Sequence, residues 1–332
     1  MSPLGALLSL RRRGYESGWL RSAAAPVPAV SIGNMTWGGT GKTPFTIWLA
    51  QRLEESGKRV GVVSRGYGRR SKGLRVVSDG KRGRIGVEEA GDEPTMIAGR
   101  LPEAIVVVAE NRVEGAQKAA ALGAEILLLD DAFQHLALRR DFDIVLLDSA
   151  APLQGGLPPA GRAREPASAL SRADLFVVTG GAREGTAGAE SLVGRWNPNA
   201  PVFHSQARFA GWFDEHGEPV PADRVAGAAS IAVASIAAPR RFLRTLEDAG
   251  AFPSEALRFR DHHFYSESDL RRIERAFRRA GAALLFTTEK DLPKLAGRTR
   301  LPLVAARIEP EVLEPGLPER VGAVLSERGH VV

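Results

Sequence analysis

One segment, Gly38-Gly39-Thr40-Gly41-Lys42-Thr43, constrains this chain more than any other, because it separates an apolar run, Ala29 to Ile32, from a helix-compatible stretch, Thr43 to Ser56. A strand that turns through glycines into a helix N-terminus aims successive backbone N–H groups at one point and forms a cradle for polyphosphate. In such a loop the lysine contacts the β- and γ-phosphates, and the hydroxyl residue after it ligates Mg²⁺. Gly38, Gly39, Thr40, Gly41, Lys42 and Thr43 are therefore the expected nucleotide-binding residues, with ATP and Mg²⁺ as cofactors. The regular pattern starts with glycine where this chain has Thr36, so the loop is a variant.

The same alternation continues downstream. Val60–Ser64, Ile105–Val108, Ile126–Leu129, Phe142–Leu147 and Leu175–Val178 read as strands, and Asn111–Leu122 reads as a helix. Continuous Val/Ile/Leu runs between helices predict a largely parallel sheet covered on both faces. From Phe203 to Val220 the period shifts to two around Asp214-Glu215-His216-Gly217, which predicts a hairpin. A second α/β series then starts at Ile231–Ser235, with helices expected at Arg240–Ala249 and Ser268–Ala280 and a strand at Ala283–Thr287. Ser266 and Asp269 are spaced as a capping box for the later helix, whose Arg271, Arg272, Arg275, Arg278 and Arg279 read as a solvated face. The expected fold class is thus α/β, with two α/β/α lobes. Residues 1–200 form a P-loop NTPase-like domain, 201–221 a two-stranded linker and 222–332 a smaller C-terminal domain.

A chain of 332 residues has room for two cores. It contains no Cys, which excludes disulfides, thiolate nucleophiles and Cys-ligated metals. The formal net charge of +6 favours an anionic partner without choosing among nucleotide, nucleic acid and lipid surface. No run approaches the roughly 18 apolar residues that a membrane span needs. In Met1–Arg21, Leu4, Leu7, Leu8 and Leu10 precede Arg11, Arg12 and Arg13, with Trp19 and Arg21 following. That apolar run is too short, and its flank wrong, for a signal peptide. Two readings stay open for it, an interfacial helix on an acidic bilayer and an ordinary packed helix.

The strand Ile126–Leu129 ends in Asp130-Asp131 at the carboxyl edge of the sheet, where carboxylates hold Mg²⁺ or its water. Other clusters are hard to explain by packing: Ser64-Arg65-Gly66-Tyr67-Gly68-Arg69, Gly91-Asp92-Glu93-Pro94, Glu110-Asn111-Arg112, the block from Asp130 through Phe133, Gln134 and His135, Arg164-Glu165-Pro166, Asp261-His262-His263 and Thr288-Glu289-Lys290-Asp291. In this order, and together with Asn34–Pro44, they resemble the tetraacyldisaccharide 4′-kinase family of lipid A biosynthesis. The resemblance extends to about Asp291, and the family shares the non-glycine start of the loop. Ala132 departs from it, the family usually having glycine there.

The resemblance implies a Gram-negative kinase, peripheral on the cytoplasmic face of the inner membrane. It would move the γ-phosphate of ATP to the 4′-hydroxyl of a tetraacylated glucosamine disaccharide 1-phosphate, without nucleic acid or an obligate protein partner. It pairs Asp92, as the base that takes the hydroxyl proton, with His262, which raises the basicity of Asp92 or orients it. His263 is the rival for that second role. Lys42 neutralises charge on the transferred group. Thr43, Asp130 and Asp131, with Glu165, are the expected metal ligands. Tyr67, Asn111, Arg112, Gln134, His135 and Arg164 are the expected contacts to sugar and phosphate, arginine matching phosphate bidentately. Glu289, Lys290 and Asp291 read as nucleotide contacts, domain-closure contacts or a surface turn.

Two other classes are compatible with the loop and the charge. One is a DNA-partitioning or regulatory switch ATPase, which predicts salt-sensitive DNA binding and DNA-stimulated hydrolysis. The other is a membrane scaffold with a structural nucleotide site, which predicts liposome binding without phosphate transfer.

Overall fold

Buried runs of Val, Ile and Leu build one continuous sheet. The structure, a computed structural model, describes residues 3–81, 85–180 and 185–327. The chain opens with α1 (Pro3–Glu16) and β1 (Ala23–Ala24), followed by β2 (Ala29–Asn34), α2 (Lys42–Glu55), β3 (Val60–Ser64) and β4 (Arg75–Asp79). Next come α3 (Val87–Ala90), α4 (Asp92–Arg100), β5 (Ile105–Val108), α5 (Arg112–Ala121), β6 (Ile126–Asp130), β7 (Leu138–Arg139) and β8 (Phe142–Asp148). A 3₁₀ turn at Ala167–Arg172, β9 (Leu175–Thr179) and α6 (Ala187–Trp196) complete the first half. The second half contains β10 (Val202–Phe213), β11 (Pro219–Val220), α7 (Ala222–Val225), β12 (Ser230–Ala234), α8 (Pro239–Asp248) and β13 (Glu255–Arg258). It ends with α9 (Glu267–Arg279), β14 (Leu284–Thr288), α10 (Leu292–Leu295), β15 (Leu303–Val312) and α11 (Leu317–Glu327).

Among the described residues the main sheet has 13 strands in the order β13-β12-β14-β15-β10-β9-β8-β2-β6-β3-β5-β4, with β11 on β10. Strands β2, β3, β5, β6, β8 and β9 run parallel, as their uninterrupted apolar runs predict. Helices α2, α4 and α11 pack on one face of this half, and α5 on the other. In the second half α8 and α9 cover opposite faces of β12 and β14. The capping box of α9 forms as expected, and its five arginines are exposed.

The linker differs from its expected form. The hairpin at Asp214–Gly217 exists, but β11 pairs for two residues only. The strand itself begins with Pro219 and Pro221 follows it, and proline donates no ladder hydrogen bond. The long partner of β10 is β15, antiparallel from Ser205↔Val312 to Phe213↔Ala305. The chain therefore crosses back to the first half, where Leu317, Val321 and Leu325 of α11 are buried in the core under α2. Each such burial contributes roughly 1.5–3 kcal/mol. Residues 317–327 thus belong with the first lobe, although the boundary at 222 assigned them to the second.

Candidate active site

The phosphate loop follows β2, and its helix begins at Lys42. Gly41 adopts φ 81°, a left-handed conformation that costs any residue with a Cβ. Beneath the loop, Asn34 Nδ2 donates to Thr40 Oγ1 at 3.0 Å. A Cβ on Gly39 or Gly41 would meet no heavy atom within 4 Å, so the space over the loop is open and fits a polyphosphate. Trp37 is 55% exposed at its rim. The loop at 154–165 closes one side, with Trp37 N donating to the Arg162 carbonyl at 2.9 Å and Thr36 bridging Ala163.

At the end of β6 the two aspartates take different surroundings. Asp130 is buried and accepts from Thr46 Oγ1 at 3.2 Å and Ser64 Oγ at 3.4 Å. Burial first, then the charges of Glu93 and Asp131, raise its pKa above the usual carboxylate range against Lys42 and Arg112. A hard divalent ion bound beside such a carboxylate would add its charge to those of Lys42 and Arg112. Asp131 turns at φ 53° to face Lys42 Nζ at 3.5 Å and Arg164 Nη1 at 2.6 Å. Burial opposes its ionisation, but Lys42, Arg164 and Arg112 outweigh that and hold its pKa low. Carboxylate and hydroxyl oxygens, as on Asp130, Asp131 and Thr43, are hard donors of the kind that Mg²⁺ takes. Gly33 makes the arrangement possible, since a Cβ there would lie 2.5 Å from Phe133 Cβ.

Across from them, α4 begins at Asp92, which is 3% exposed. Gly91, at φ 92° and beside the Tyr67 carbonyl, lets the chain turn into this helix. Asp92 Oδ1 lies 3.0 Å from His262 Nδ1, and Asp92 Oδ2 lies 3.4 Å from Lys294 Nζ and 3.8 Å from Lys290 Nζ. Burial alone would raise the Asp92 pKa, but the His262 hydrogen bond and the charges of Lys290, His262 and Lys294 bring it down to about 2. The His262 contact to Asp92 Oδ1 is thus one that favours the charged carboxylate. His262 has φ 58°, strained for a residue with a Cβ, and its ring meets the exposed Tyr67 ring edge-on at 4.9 Å. His263 points elsewhere, 2.9 Å from Asp269 and stacked on Phe259. Lys290 Nζ sits among Glu93, Asp261 and His262 Nε2 at 3.2–3.4 Å. Burial lowers the Lys290 pKa, but Glu93, Asp92 and Asp261 outweigh it and raise the pKa above its ordinary value.

Several expected ligand contacts also have partners within the chain. Asn111 caps α5, accepting from Val113 N at 3.1 Å. Arg112 is 3% exposed and donates to the Ala109 carbonyl at 2.8 Å and the Asp130 carbonyl at 3.3 Å, with its pKa lowered by burial to about 10. It therefore braces the aspartates from beneath. Glu165 is buried against Arg172 at 2.7 Å, a cation that competes with any metal for the carboxylate. Gln134 bridges the Asn34 carbonyl at 2.9 Å and Arg164 at 3.5 Å. His135 is held neutral, with burial and then Arg112, Arg140, Arg11 and Arg65 lowering its pKa to about 4. Arg164 Nε is buried without a hydrogen-bond partner. Lys294, which meets Asp92, and Ser235, which holds Lys294 together with Asp291, were missed because lone Ser and Lys residues in an α/β segment carry no motif.

The family model described as tetraacyldisaccharide-1-P 4′-kinase matches residues 2–326. A tetraacyldisaccharide 4′-kinase from Syntrophotalea carbinolica is 43% identical over 303 residues, 90% of this chain and 82% of that protein. One from Chlorobaculum parvum is 40% identical over 326 residues, covering 93% and 88%. The crystal structure of the "apo" form of LpxK from Aquifex aeolicus in complex with ATP superposes with a TM-score of 0.78 at 31% identity, covering 98% of this chain and 95% of that one.

Proposed function

Since the chain belongs to the tetraacyldisaccharide-1-P 4′-kinase family and is an ATP-dependent lipid A kinase, we propose that Asp92 is its general base and that His262 and the phosphate loop align the reaction. The reaction passes the γ-phosphate of ATP to the 4′-hydroxyl of the tetraacylated disaccharide 1-phosphate. The observation that carries the assignment is the position of the α4 N-terminus, where Asp92 meets His262 while the adjacent Glu93 lies near enough to Asp130 to raise its pKa.

In this reading Asp92 takes the 4′-hydroxyl proton as the oxygen attacks phosphorus and the bond to the leaving ADP oxygen breaks. Proton transfer of this kind contributes on the order of 10²–10⁴-fold. Lys42 and the N–H groups of Gly38–Thr43 hold the phosphates and stabilise the charge that develops on them. Thr43, Asp130 and Asp131 would hold Mg²⁺, which neutralises phosphate charge when bound. Glu165 would join them only by releasing Arg172. Arg164, Gln134 and Tyr67 line the approach for the acceptor. Replacing Asp92 with Asn and measuring turnover tests the assignment, and activity within a few-fold of the parent sinks it.

The site of action is proposed to be the cytoplasmic face of a Gram-negative inner membrane, where the enzyme sits peripherally. Leu7 and Leu10 of α1 are 63% and 61% exposed and Trp19 is 79% exposed, beside Arg11, Arg12 and Arg13. That pattern suits the headgroup region of an acidic bilayer. Among the described residues no helix is long and apolar enough to cross a membrane.

A further inference from the structure

We propose that Lys294 is a positioning residue for the Asp92 carboxylate, held from behind by Asp291 and Ser235 of the second lobe. The inference rests on Asp92 being the base. An ammonium group has three N–H donors and no acceptor. Lys294 Nζ has three acceptors around it: Asp291 Oδ1 at 2.6 Å, Ser235 Oγ at 2.7 Å and Asp92 Oδ2 at 3.4 Å. Its side chain is 1% exposed, so water does not compete.

The support behind it is rigid. Asp291 is fully buried and accepts from Ser235 N at 2.8 Å, from Thr288 Oγ1 at 2.9 Å and from Ser235 Oγ. Asp291, Ser235 and Lys294 all belong to the second half of the chain, so their mutual contacts lie within it. Only the contact to Asp92 crosses between the halves. It lies beside the contact between Asp92 Oδ1 and His262 Nδ1, so Oδ1 meets His262 and Oδ2 meets Lys294, with Lys290 Nζ farther from Oδ2 at 3.8 Å. Two anchors on two oxygens fix the carboxylate rotation, which a single hydrogen bond leaves free. Lys290 fixes the other end of the imidazole. As a cation it donates to His262 Nε2 at 3.2 Å, so the ring proton lies on Nδ1, facing Asp92.

The groups facing Asp92 are His262, Lys290 and Lys294 from the second half and Glu93 on its own helix, with Asp291 behind Lys294 and Asp261 behind Lys290. Removing Lys294 alone would strand a buried Asp291. The test is therefore Lys294→Met combined with Asp291→Asn, run beside Asp92→Asn, with steady-state kinetics across pH. The expected result is kcat lower by about 10–100-fold, since misplacing a reacting group by about 1 Å costs about 10²-fold. KM for ATP stays within twofold, and the acid limb of the kcat profile moves up by about one pH unit as a cation leaves the carboxylate. A residue that only supports the fold would lower the melting temperature and leave that limb in place. Ser235→Ala, which removes one acceptor and keeps both charges, gives a smaller kcat loss in the same direction and serves if the double variant does not fold. If Asp92→Asn is inactive while the folded variant keeps the wild-type kcat and acid limb, the positioning role is wrong. Full activity in Asp92→Asn removes the base assignment itself.

Discussion

Asp92 and His262 stand 170 residues apart in sequence, yet their side chains meet at 3.0 Å across the junction of the two halves. Neither half contains the pair by itself. Replacing His262 with Ala removes the imidazole that meets Asp92 Oδ1 and leaves in place the left-handed φ of 58°, which strains any residue with a Cβ. The expected outcome is a kcat loss of about 10²-fold with little change in fold stability, measured by phosphate transfer and by thermal unfolding. His263→Ala removes the contact to Asp269 and the ring contacts to Phe259 and Tyr265, none of them to Asp92, and leaves kcat within about threefold.

Closure has its own set of ion pairs. Arg100 at the end of α4 binds Glu289 at 3.2 Å and also Glu309, while Arg307 binds Glu289 at 2.7 Å. Arg100→Met leaves Glu289 half paired in a largely buried place, at a cost of about 1–3 kcal/mol. Kinetics across both substrates should show kcat/KM falling about 5–100-fold, with added salt widening no further gap, because the pairs are screened little.

His135 makes stability pH-dependent. Its pKa is lowered to about 4, whereas an unfolded histidine titrates near 6.5. Between these values the unfolded chain binds the extra proton, so stability falls as pH drops from about 6.5 to about 4. After allowance for solvent screening the loss is about 1–2 kcal/mol. Denaturant unfolding at pH 7 and pH 4.5 should show that this difference shrinks in His135→Gln; an unchanged difference contradicts the account.

Gly33 tests the close approach of the aspartate block to the phosphate strand. Gly33→Ala places a methyl group 2.5 Å from Phe133 Cβ, inside any tolerable contact. Overpacking of this kind costs about 1–3 kcal/mol, and calorimetry should record a lower Tm together with weaker nucleotide binding.

Much of this architecture was legible from apolar runs. The strands Val60–Ser64 and Ile105–Val108 fall where the pattern put them, because a strand buried on both faces has few alternatives to a continuous apolar run. The phosphate loop and the Asp130-Asp131 pair were legible too, but not their division of labour. Asp130 turns inward to Thr46 and Ser64, and Asp131 flips to Lys42 through a left-handed φ that no residue pattern announces. The antiparallel edge strand β4 and the returning strand β15 were missed. The apolar start of β15 covers only Leu303–Ala306, and Arg307, Glu309, Pro310 and Glu311 obscure the rest. Arg112 and Glu165 were expected as ligand contacts, and the fold gives them partners that no residue pattern announces, the Ala109 and Asp130 carbonyls for Arg112 and Arg172 for Glu165. Choosing between His262 and His263 needed the fold, since adjacent residues carry the same chemistry and only the backbone turn separates their directions.

At the membrane, Leu7→Asp with Leu10→Asp changes two exposed residues and disturbs no buried contact. Cosedimentation with vesicles containing anionic lipid should fall at least about tenfold, while transfer to detergent-dispersed lipid stays near wild type. Equal cosedimentation would remove α1 from the membrane contact.

The most direct measurement is transfer of labelled γ-phosphate from ATP to detergent-dispersed tetraacylated glucosamine disaccharide 1-phosphate, comparing the intact protein with Lys42→Ala and Asp92→Asn. The account predicts labelled lipid from the intact protein and loss of about 10²-fold or more in each variant, with Asp92→Asn still binding ATP. Wild-type labelling by Asp92→Asn would contradict it.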